Sequence, residues 1–521
     1  MRDRLRALRV LARRGMVEPL RPDRALHAHL AVRRYGMVGG LIGHAAARYG
    51  AAPAVTDERG TMSFADLEAA SNALARGLVE RGLGPGSVLA LMYRNHRGVL
   101  LALGAANKIG VRVVLMNTGF AGPQLADVCI GEHVDAMLAD DEFTELLTAL
   151  PAPLPWLSAD ALSGGQSSAP LPAPAKPGGM VLLTSGTTGT PKGAPRNKID
   201  PLQSAQLLDR IPRPANSAYI VAAPLFHATG LATCALGLAL GNRIVLARRF
   251  DAGSTLRAIG AHRAGALVVV PTMLQRILDP GPDVVGRSDT SSLRVVFAAG
   301  SALSPELCRR TAATFGDVLY NLYGSTEVAA AAIATPQELR RAPGTVGRPP
   351  LGVRLACYDA DRRRITQPGQ AGTLFVASGL SFSGYTDGNH KEIVDGLLST
   401  GDTGHFDGSG LWFVDGRGDD MIVSGGENVF PLEIENLLAG HPDIVEAAVI
   451  GVDDAEFGKR LRAVVVLRAD AILGPDDVKS FVRSHLARHK VPRDVMFVDA
   501  LPRNETGKLL KTVLAADPAW D

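Results

Sequence analysis

Apolar positions along this chain recur in two rhythms. Repeats every three to four residues predict helices facing a core, and unbroken apolar runs of four to six predict buried strands. Ser63 stands before Phe64-Ala65-Asp66-Leu67 as an N-cap would, opening a helix toward Arg81. Residues 87–92 and 111–115 read as strands on either side of a helix over 98–109. Apolar runs at 218–223, 243–246, 266–270 and 293–298 continue the alternation, which predicts large sheets with helices on their faces. The longest apolar stretch, 231–240, is flanked by glycines and Asn242 and reads as a core helix, too short to span a bilayer. Residues 151–177, rich in Pro, Ser, Gly and Ala, predict a surface excursion. After Arg417-Gly418-Asp419 the texture changes to a compact α+β unit: helix 433–438, strands 445–452 and 461–467, and helix 476–488 opened by Gly474-Pro475.

A length of 521 residues points to more than one structural unit. Cys129, Cys234, Cys308 and Cys357 have neither paired nor metal-like spacing and read as buried, reduced thiols of a cytoplasmic chain. The net charge of +3 is unevenly spread. Residues 1–35 hold ten arginines against Asp3, Glu18 and Asp23, so a basic leader precedes a mildly acidic body. Within residues 2–14, Leu5, Leu8, Leu11 and Ala12 fall on one helical face with Arg4 intruding, and arginines line the flank. Docking on an anionic membrane through residues 1–24 is one expectation, and a helix packed on its own domain is the other. The leader's one aromatic, Tyr35, and the lack of a recognition fold argue against nucleic acid.

The chemistry centres on Thr184-Ser185-Gly186-Thr187-Thr188-Gly189-Thr190-Pro191-Lys192-Gly193, which follows an apolar run. Hydroxyls alternate with glycines, so backbone N–H groups are free to turn toward one anion, and Lys192 adds a positive charge. Pro191-Lys192-Gly193 departs from the Gly-Lys-Ser/Thr ending of a Walker A loop. Taken alone, the segment also fits a flexible linker. Downstream come, in order, Tyr323-Gly324-Ser325-Thr326-Glu327, Ser399-Thr400-Gly401-Asp402, Gly416-Arg417-Gly418-Asp419-Asp420, Ser424-Gly425-Gly426-Glu427-Asn428 and Pro502-Arg503-Asn504-Glu505-Thr506-Gly507-Lys508. Together, over residues 40 to 515, these resemble the motif set of the adenylate-forming superfamily, in its acyl-CoA synthetase branch.

That resemblance implies an α/β fold with a large multi-sheet N-terminal adenylation domain (36–416), a hinge (417–419) and a small mobile α+β C-terminal lid (420–521) after the 1–35 leader. It implies ATP, Mg²⁺ and coenzyme A as cofactors. Thr184, Ser185, Gly186, Thr187, Thr188, Gly189 and Lys192 would grip the phosphates, with Thr326 assisting and Glu327 holding Mg²⁺. Tyr323, with Gly324 and Ser325 beside it, would stack on adenine opposite Gly300 and Ser301. Asp402 and Arg417 would bind the ribose. Lys508 would bridge the acid carboxylate and the α-phosphate. For thioester formation the lid would turn about Asp419 and present Ser424, Gly425 and Gly426, with Phe457, Lys490 and Arg493 near the nucleotide end of CoA.

Pro224-Leu225-Phe226-His227 places no Asp where amino-acid-activating relatives pair the substrate ammonium, so an ammonium-free acid is expected, with His227 beside its carboxylate. A satisfied core histidine is the plainer alternative. The small apolar residues Ala298, Ala299, Val328 and Ala329 suit an aliphatic chain. Asn95-His96-Arg97-Gly98 and Asn117-Thr118-Gly119-Phe120 also resemble bacterial fatty acyl-CoA synthetases. The expected partners are a fatty acid and CoA, and a homodimer is an expected assembly. A fatty acyl-AMP ligase loading a carrier protein and a non-catalytic nucleotide-binding scaffold are the alternatives.

Overall fold

The computed structural model describes residues 2–148, 150, 154–184, 191–196, 204–424, 427–454, 458–504 and 507–516. Its large part is built on two mainly parallel sheets. The eight-stranded sheet runs, in spatial order, Ala332–Ala334, Leu319–Tyr323, Val295–Ala299, Ala264–Val269, Ala218–Val221, Arg243–Val245, Pro53–Asp57 and Gly60–Ser63. The six-stranded sheet runs Trp156–Leu157, Ala136–Ala139, Val88–Met92, Arg112–Leu115, Met180–Thr184 and Lys192–Arg196. Antiparallel pairing is confined to the edges, at Gly60–Ser63, Ala332–Ala334 and Lys192–Arg196. The interior strands are apolar on both faces because helices cover them. A third, antiparallel sheet holds Arg354–Tyr358, Gly372–Ala377, Leu397–Phe406 and Trp412–Arg417.

The expected cap at Ser63 is present as a full capping box. Its side chain accepts from Asp66 N, Asp66 reaches back to Ser63 N, and the helix Phe64–Glu80 follows. The helix Arg97–Lys108 and strand Val88–Met92 lie within a residue of their sequence positions. Of the 151–177 excursion, the described part lies on the surface but is docked. It carries the helix Ala159–Ser163 against Phe64–Glu80, and Tyr35 donates its OH to Leu171 O at 2.7 Å. Cys234, Cys308 and Cys357 are buried free thiols, whereas Cys129 is half-buried.

The leader helix packs on its own domain, the second of its two expectations, but divides its apolar face. Helix Arg2–Arg13 packs on the helices Ser204–Asp209 and Ala228–Ala239, burying Ala7 and Leu11 against Leu208, Leu236 and Leu240. Arg14 Nε donates to Leu208 O at 3.0 Å. Burial of Leu11 contributes about 2 kcal/mol. The expected common face is therefore divided, since Leu5 stays 52% and Leu8 43% exposed. A second helix, Pro22–Tyr49, was concealed by its glycines. It bends at Gly36, where φ is 73°, and Asn107 Oδ1 accepts from Val38 N beyond the bend.

The small C-terminal unit has its own core. Ile422, Ile434, Leu438, Val449, Leu461, Val478 and Val482 pack between the sheet of Ile444–Asp454, Gly458–Leu467 and Asp494–Phe497 and the helices Pro431–Leu438 and Pro475–His485. It meets the large part where Gln275 Nε2 donates to Val445 O at 3.0 Å, and again at Gly507. Gly507 has φ 75°, and a Cβ there would collide with Thr272 Oγ1, so this loop seats only as glycine.

Candidate active site

Parallel strands deliver their C-terminal ends to one rim, where ligands of α/β sheets collect. Strand Val295–Ala299 ends there at Gly300 (φ 102°) and Ser301, and strand Leu319–Tyr323 ends at Tyr323. The loop after Tyr323 is tightly folded. Ala331 N donates back to Tyr323 O at 2.9 Å, Ser325 Oγ accepts from Glu327 N at 3.2 Å, and Ala329 takes a φ of 60°. Gly324 is required because a Cβ would run into Ala329 O. This folding turns Glu327 inward while Thr326 stays half-buried.

The third sheet adds the groups below the rim. Asp402 and Arg417 face each other across paired strands. Tyr323 donates its OH to Asp402 Oδ2 at 2.6 Å. Burial raises the Asp402 carboxyl above its ordinary range. Burial, with Asp402 beside it, raises the Tyr323 phenol well above its own. Arg417 Nε donates to Asp419 Oδ1 at 2.8 Å; burial pushes that carboxyl up, but Arg417 prevails and holds it low. Lys508 also acts on Asp419 electrostatically, so the C-terminal loop lies at this end of the site. Its frame is firm: Asn504 Oδ1 accepts from Lys508 N at 2.9 Å, Asn504 N donates to Lys508 O at 3.0 Å, and the Lys508 side chain is exposed.

Glu327, 8% exposed, accepts from Tyr385 OH at 2.7 Å. Lys192 Nζ lies 5.5 Å over the Tyr385 ring and 3.6 Å from Asp387 Oδ2. Thr386 N donates to Gly193 O at 2.9 Å, so residues 385–387 tie the lysine strand to the carboxylate. Arg196, on that same strand, is lowered to about 10 by burial, with Glu327 acting against the shift. Tyr385, Asp387 and Arg196 escaped sequence reasoning. Tyr385 stands in a Ser/Gly/Thr-rich stretch that carries no motif, and the pairing joins residues about sixty or more apart. Thr184 Oγ1 donates to Lys192 O at 3.3 Å. Ser185, Gly186, Thr187, Thr188, Gly189, Gly425, Gly426 and Phe457 lie outside the described residues.

The fit to Mg²⁺ follows from the donor set. Among the described residues no three His, Cys, Asp or Glu side chains cluster for a metal. A buried carboxylate near the strand that carries Lys192 suits Mg²⁺, which takes one or two carboxylates and completes its shell from phosphates and water. Glu327 is the residue that would hold it.

His227 caps the helix Ala228–Ala239 without a side-chain bond to it, 4.5 Å from the Phe226 ring, and its Nε2 is buried without a partner. Burial alone lowers it to about 4, so the imidazole is neutral near pH 7. The plainer alternative of a satisfied core histidine is not met at Nε2. Asn95 explains part of its own motif: it accepts from Leu225 N at 2.8 Å and donates to Ala223 O at 3.0 Å, fixing the loop before His227. Arg97 instead makes a buried pair with Asp57. Of the small apolar residues, Ala299 shares a core with Phe226, whereas Ala298 faces the opposite side of its strand and Val328 packs toward the third sheet. Lys490 Nζ pairs with Glu433 Oε2 at 2.6 Å, and Arg493 N donates to Leu461 O at 2.9 Å. Ser424 ends the strand Ile422–Ser424.

A two-part α/β chain with a polar rim of Tyr, Asp, Arg and Glu and a lysine loop docked across it has the architecture of a nucleotide-activating enzyme. The family described as AMP-binding enzyme matches residues 42–386, and the AMP-binding enzyme C-terminal domain matches residues 433–508. The chain belongs to this adenylate-forming family. It is 31% identical over 493 residues to the fatty acid–[acyl-carrier-protein] ligase ScoC of Streptomyces coeruleorubidus, covering 90% of this chain and 93% of that one. It is 32% identical over 475 residues to the indoleacetate–CoA ligase of Aromatoleum aromaticum, covering 86% and 92%. ATP-bound MatB from Rhodopseudomonas palustris superposes with a TM-score of 0.81 at 27% identity, covering 93% of this chain and 100% of that one. At the level common to such relatives the chain is an AMP-forming acid–thiol ligase of the acyl/aryl-CoA type, and such CoA ligases use ATP, Mg²⁺ and coenzyme A.

Proposed function

We propose that this ligase activates a medium- or long-chain fatty acid as its acyl-adenylate and passes the acyl group to CoA, releasing AMP and pyrophosphate. A carboxylate resists nucleophiles and lacks a leaving group; adenylation supplies one. The observation that carries the acid class is His227. Its shift has burial as its single cause, its ring partner is Phe226, and among the described residues no acidic side chain meets it to hold a substrate ammonium. In this reading the 184–192 segment and Thr326 hold phosphates, Glu327 holds Mg²⁺ with Tyr385 orienting it, and Asp402 and Arg417 take the ribose. Tyr323 and Gly300 take adenine, His227 donates toward the acid, and Lys508 bridges acid and α-phosphate. Residues 36–416 form the adenylating part, 417–419 the hinge and 420–521 the lid. A panel of straight, branched and aromatic acids, each with and without CoA, tests this. Aliphatic acids should release pyrophosphate and give thioester only with CoA, and equal activity on amino acids would refute the acid class. Loading of a carrier protein is the second reading, favoured by the likeness to ScoC; a holo carrier protein accepted in place of CoA would establish it.

The buried neutral state of His227 gives a stability prediction. Its folded value, about 4, lies below the unfolded value near 6.5, so the unfolded chain binds the extra proton between them. Stability is intact above 6.5 and falls as pH drops toward 4, by about 2 kcal/mol at pH 5 from this group. His227→Gln should therefore lose less stability than the wild type between pH 7.5 and 5 in urea unfolding. An identical loss would place the acid sensitivity elsewhere, for instance at His44, which burial also lowers to about 4.

The leader belongs to the same proposal. Leu5, Leu8, Leu20, Leu26 and Leu30 are exposed among its arginines, while Leu11 anchors the helix to the body. Each basic residue near an anionic bilayer is worth about 1 kcal/mol. Deleting residues 1–24 should abolish salt-sensitive binding to anionic vesicles in a flotation assay and leave turnover of short soluble acids intact. Unchanged vesicle binding would show that the leader is not the anchor.

A further inference from the structure

Glu132 is a buried carboxylate to which the adenylation chemistry gives no task. It stands just past the helix Gly122–Gly131 as its C-cap, where its own N–H donates to Val128 O at 2.9 Å. There it faces the negative end of the helix dipole, which disfavours an anion. Its burial, at 5% exposure, disfavours the charge further. Arg112 relieves this only in part: Nη2 donates to the Glu132 backbone O at 2.9 Å, while Nη1 stays 3.6 Å from Oε2. Among the described residues Oε2 has no hydrogen-bond partner. What the side chain does hold is Thr386, whose Oγ1 donates to Oε1. Gly193 makes room for this bond, because a Cβ there would collide with both Glu132 Oε1 and Thr386 Oγ1.

Thr386 belongs to a small turn that closes on itself. Tyr385 N donates to Asn389 O at 3.0 Å, Gly388 N to Tyr385 O at 3.2 Å, and Asn389 N to Asp387 Oδ1 at 2.9 Å. Residues 386–390 are exposed, so polar links rather than packing fix the turn to the body. Thr386 is held on two sides, by its N–H to Gly193 O at 2.9 Å and by its hydroxyl to Glu132. A hydrogen bond to a carboxylate is the stronger kind, so Glu132 is the firmer anchor. The residues on either side of Thr386 then reach two charged groups. Tyr385 OH donates to Glu327 Oε1 at 2.7 Å, and Asp387 Oδ2 lies 3.6 Å from Lys192 Nζ. Resting on the reading that Glu327 takes Mg²⁺ and Lys192 the phosphates, we propose that Glu132 is a positioning residue for the metal–nucleotide complex. It acts through Thr386, setting where Tyr385 orients the Glu327 carboxylate and where Asp387 restrains the Lys192 ammonium.

The test is calorimetric titration of ATP, in EDTA and in MgCl₂, into the full chain and into Glu132→Ala, Glu132→Gln, Thr386→Val and Glu327→Gln. It needs no acid, so the identity of the acid does not enter. Glu132→Ala and Thr386→Val should each weaken binding of Mg·ATP about tenfold, the scale on which partners that orient a metal ligand act, and of metal-free ATP much less. Combining the two should cost little more than either alone. Glu132→Gln should recover most of the affinity, because its amide oxygen accepts the same bond. A residue that serves packing alone would lower the melting temperature and leave both affinities at the wild-type value, and that result overturns the proposal. Equal losses with and without Mg²⁺ overturn it as well. If Glu132→Ala does not fold, Thr386→Val and Glu132→Gln decide. If Glu327→Gln binds Mg·ATP as tightly as the wild type, the assignment of Mg²⁺ to Glu327 fails, and this proposal with it.

Discussion

Lys508→Ala should slow acyl-adenylate formation by about 10³-fold, the scale of removing one preorganised stabiliser of transition-state charge. The variant should still convert chemically supplied acyl-AMP to thioester at close to the wild-type rate. The geometry gives the reason. The loop is pinned by Asn504 on both sides of Lys508 and seated on Thr272 through Gly507, which carries the exposed ammonium to the Arg417–Asp419 end of the site. A compact, flexible ammonium suits charge that shifts from carboxylate to phosphate during the step. Single-turnover quench-flow on each half-reaction checks this. Equal losses in both halves would remove Lys508 from its assigned step.

Asp419→Pro should do the reverse: acyl-AMP accumulates and thioester formation falls by about 10²-fold or more. Arg417 and Asp419 lie where the third sheet ends and the small unit begins, and Gly418 N donates to Gly401 O at 3.0 Å. Proline would fix φ near −65° and hinder rotation about that point. It also deletes the carboxylate that holds Arg417, so Asp419→Ala is the control. If alanine accumulates acyl-AMP equally, the cause is loss of that ion pair. If proline turns over like the wild type, no hinge acts at this residue.

Much of this was legible in the chain because it depends on local rules. Ser63 announces its capping box, Val88–Met92 its burial on both faces, and the six ordered motifs their family. What escaped depends on distance in sequence. Tyr385 and Glu327 meet across 58 residues, and Arg213 meets Phe297 across a sheet. The helix Pro22–Tyr49 was hidden because Gly36, Gly39, Gly40 and Gly43 read as breakers, yet Gly39 and Gly40 allow close approach to Lys108 and Ala31. The leader's apolar face was visible, but the pattern does not say that Ser204–Asp209 would cover Leu11 and leave Leu5 open. Ala298 and Ala299 are adjacent on one strand and face opposite sides, so only Ala299 joins the Phe226 face.

The measurement closest to the central claim is acid-dependent exchange of labelled pyrophosphate into ATP with Mg²⁺ and no CoA. The account predicts exchange that requires an acid without an ammonium group, needs no thiol and is lost in Lys508→Ala. Release of inorganic phosphate in place of pyrophosphate, or ATP binding without exchange for any acid, would contradict it.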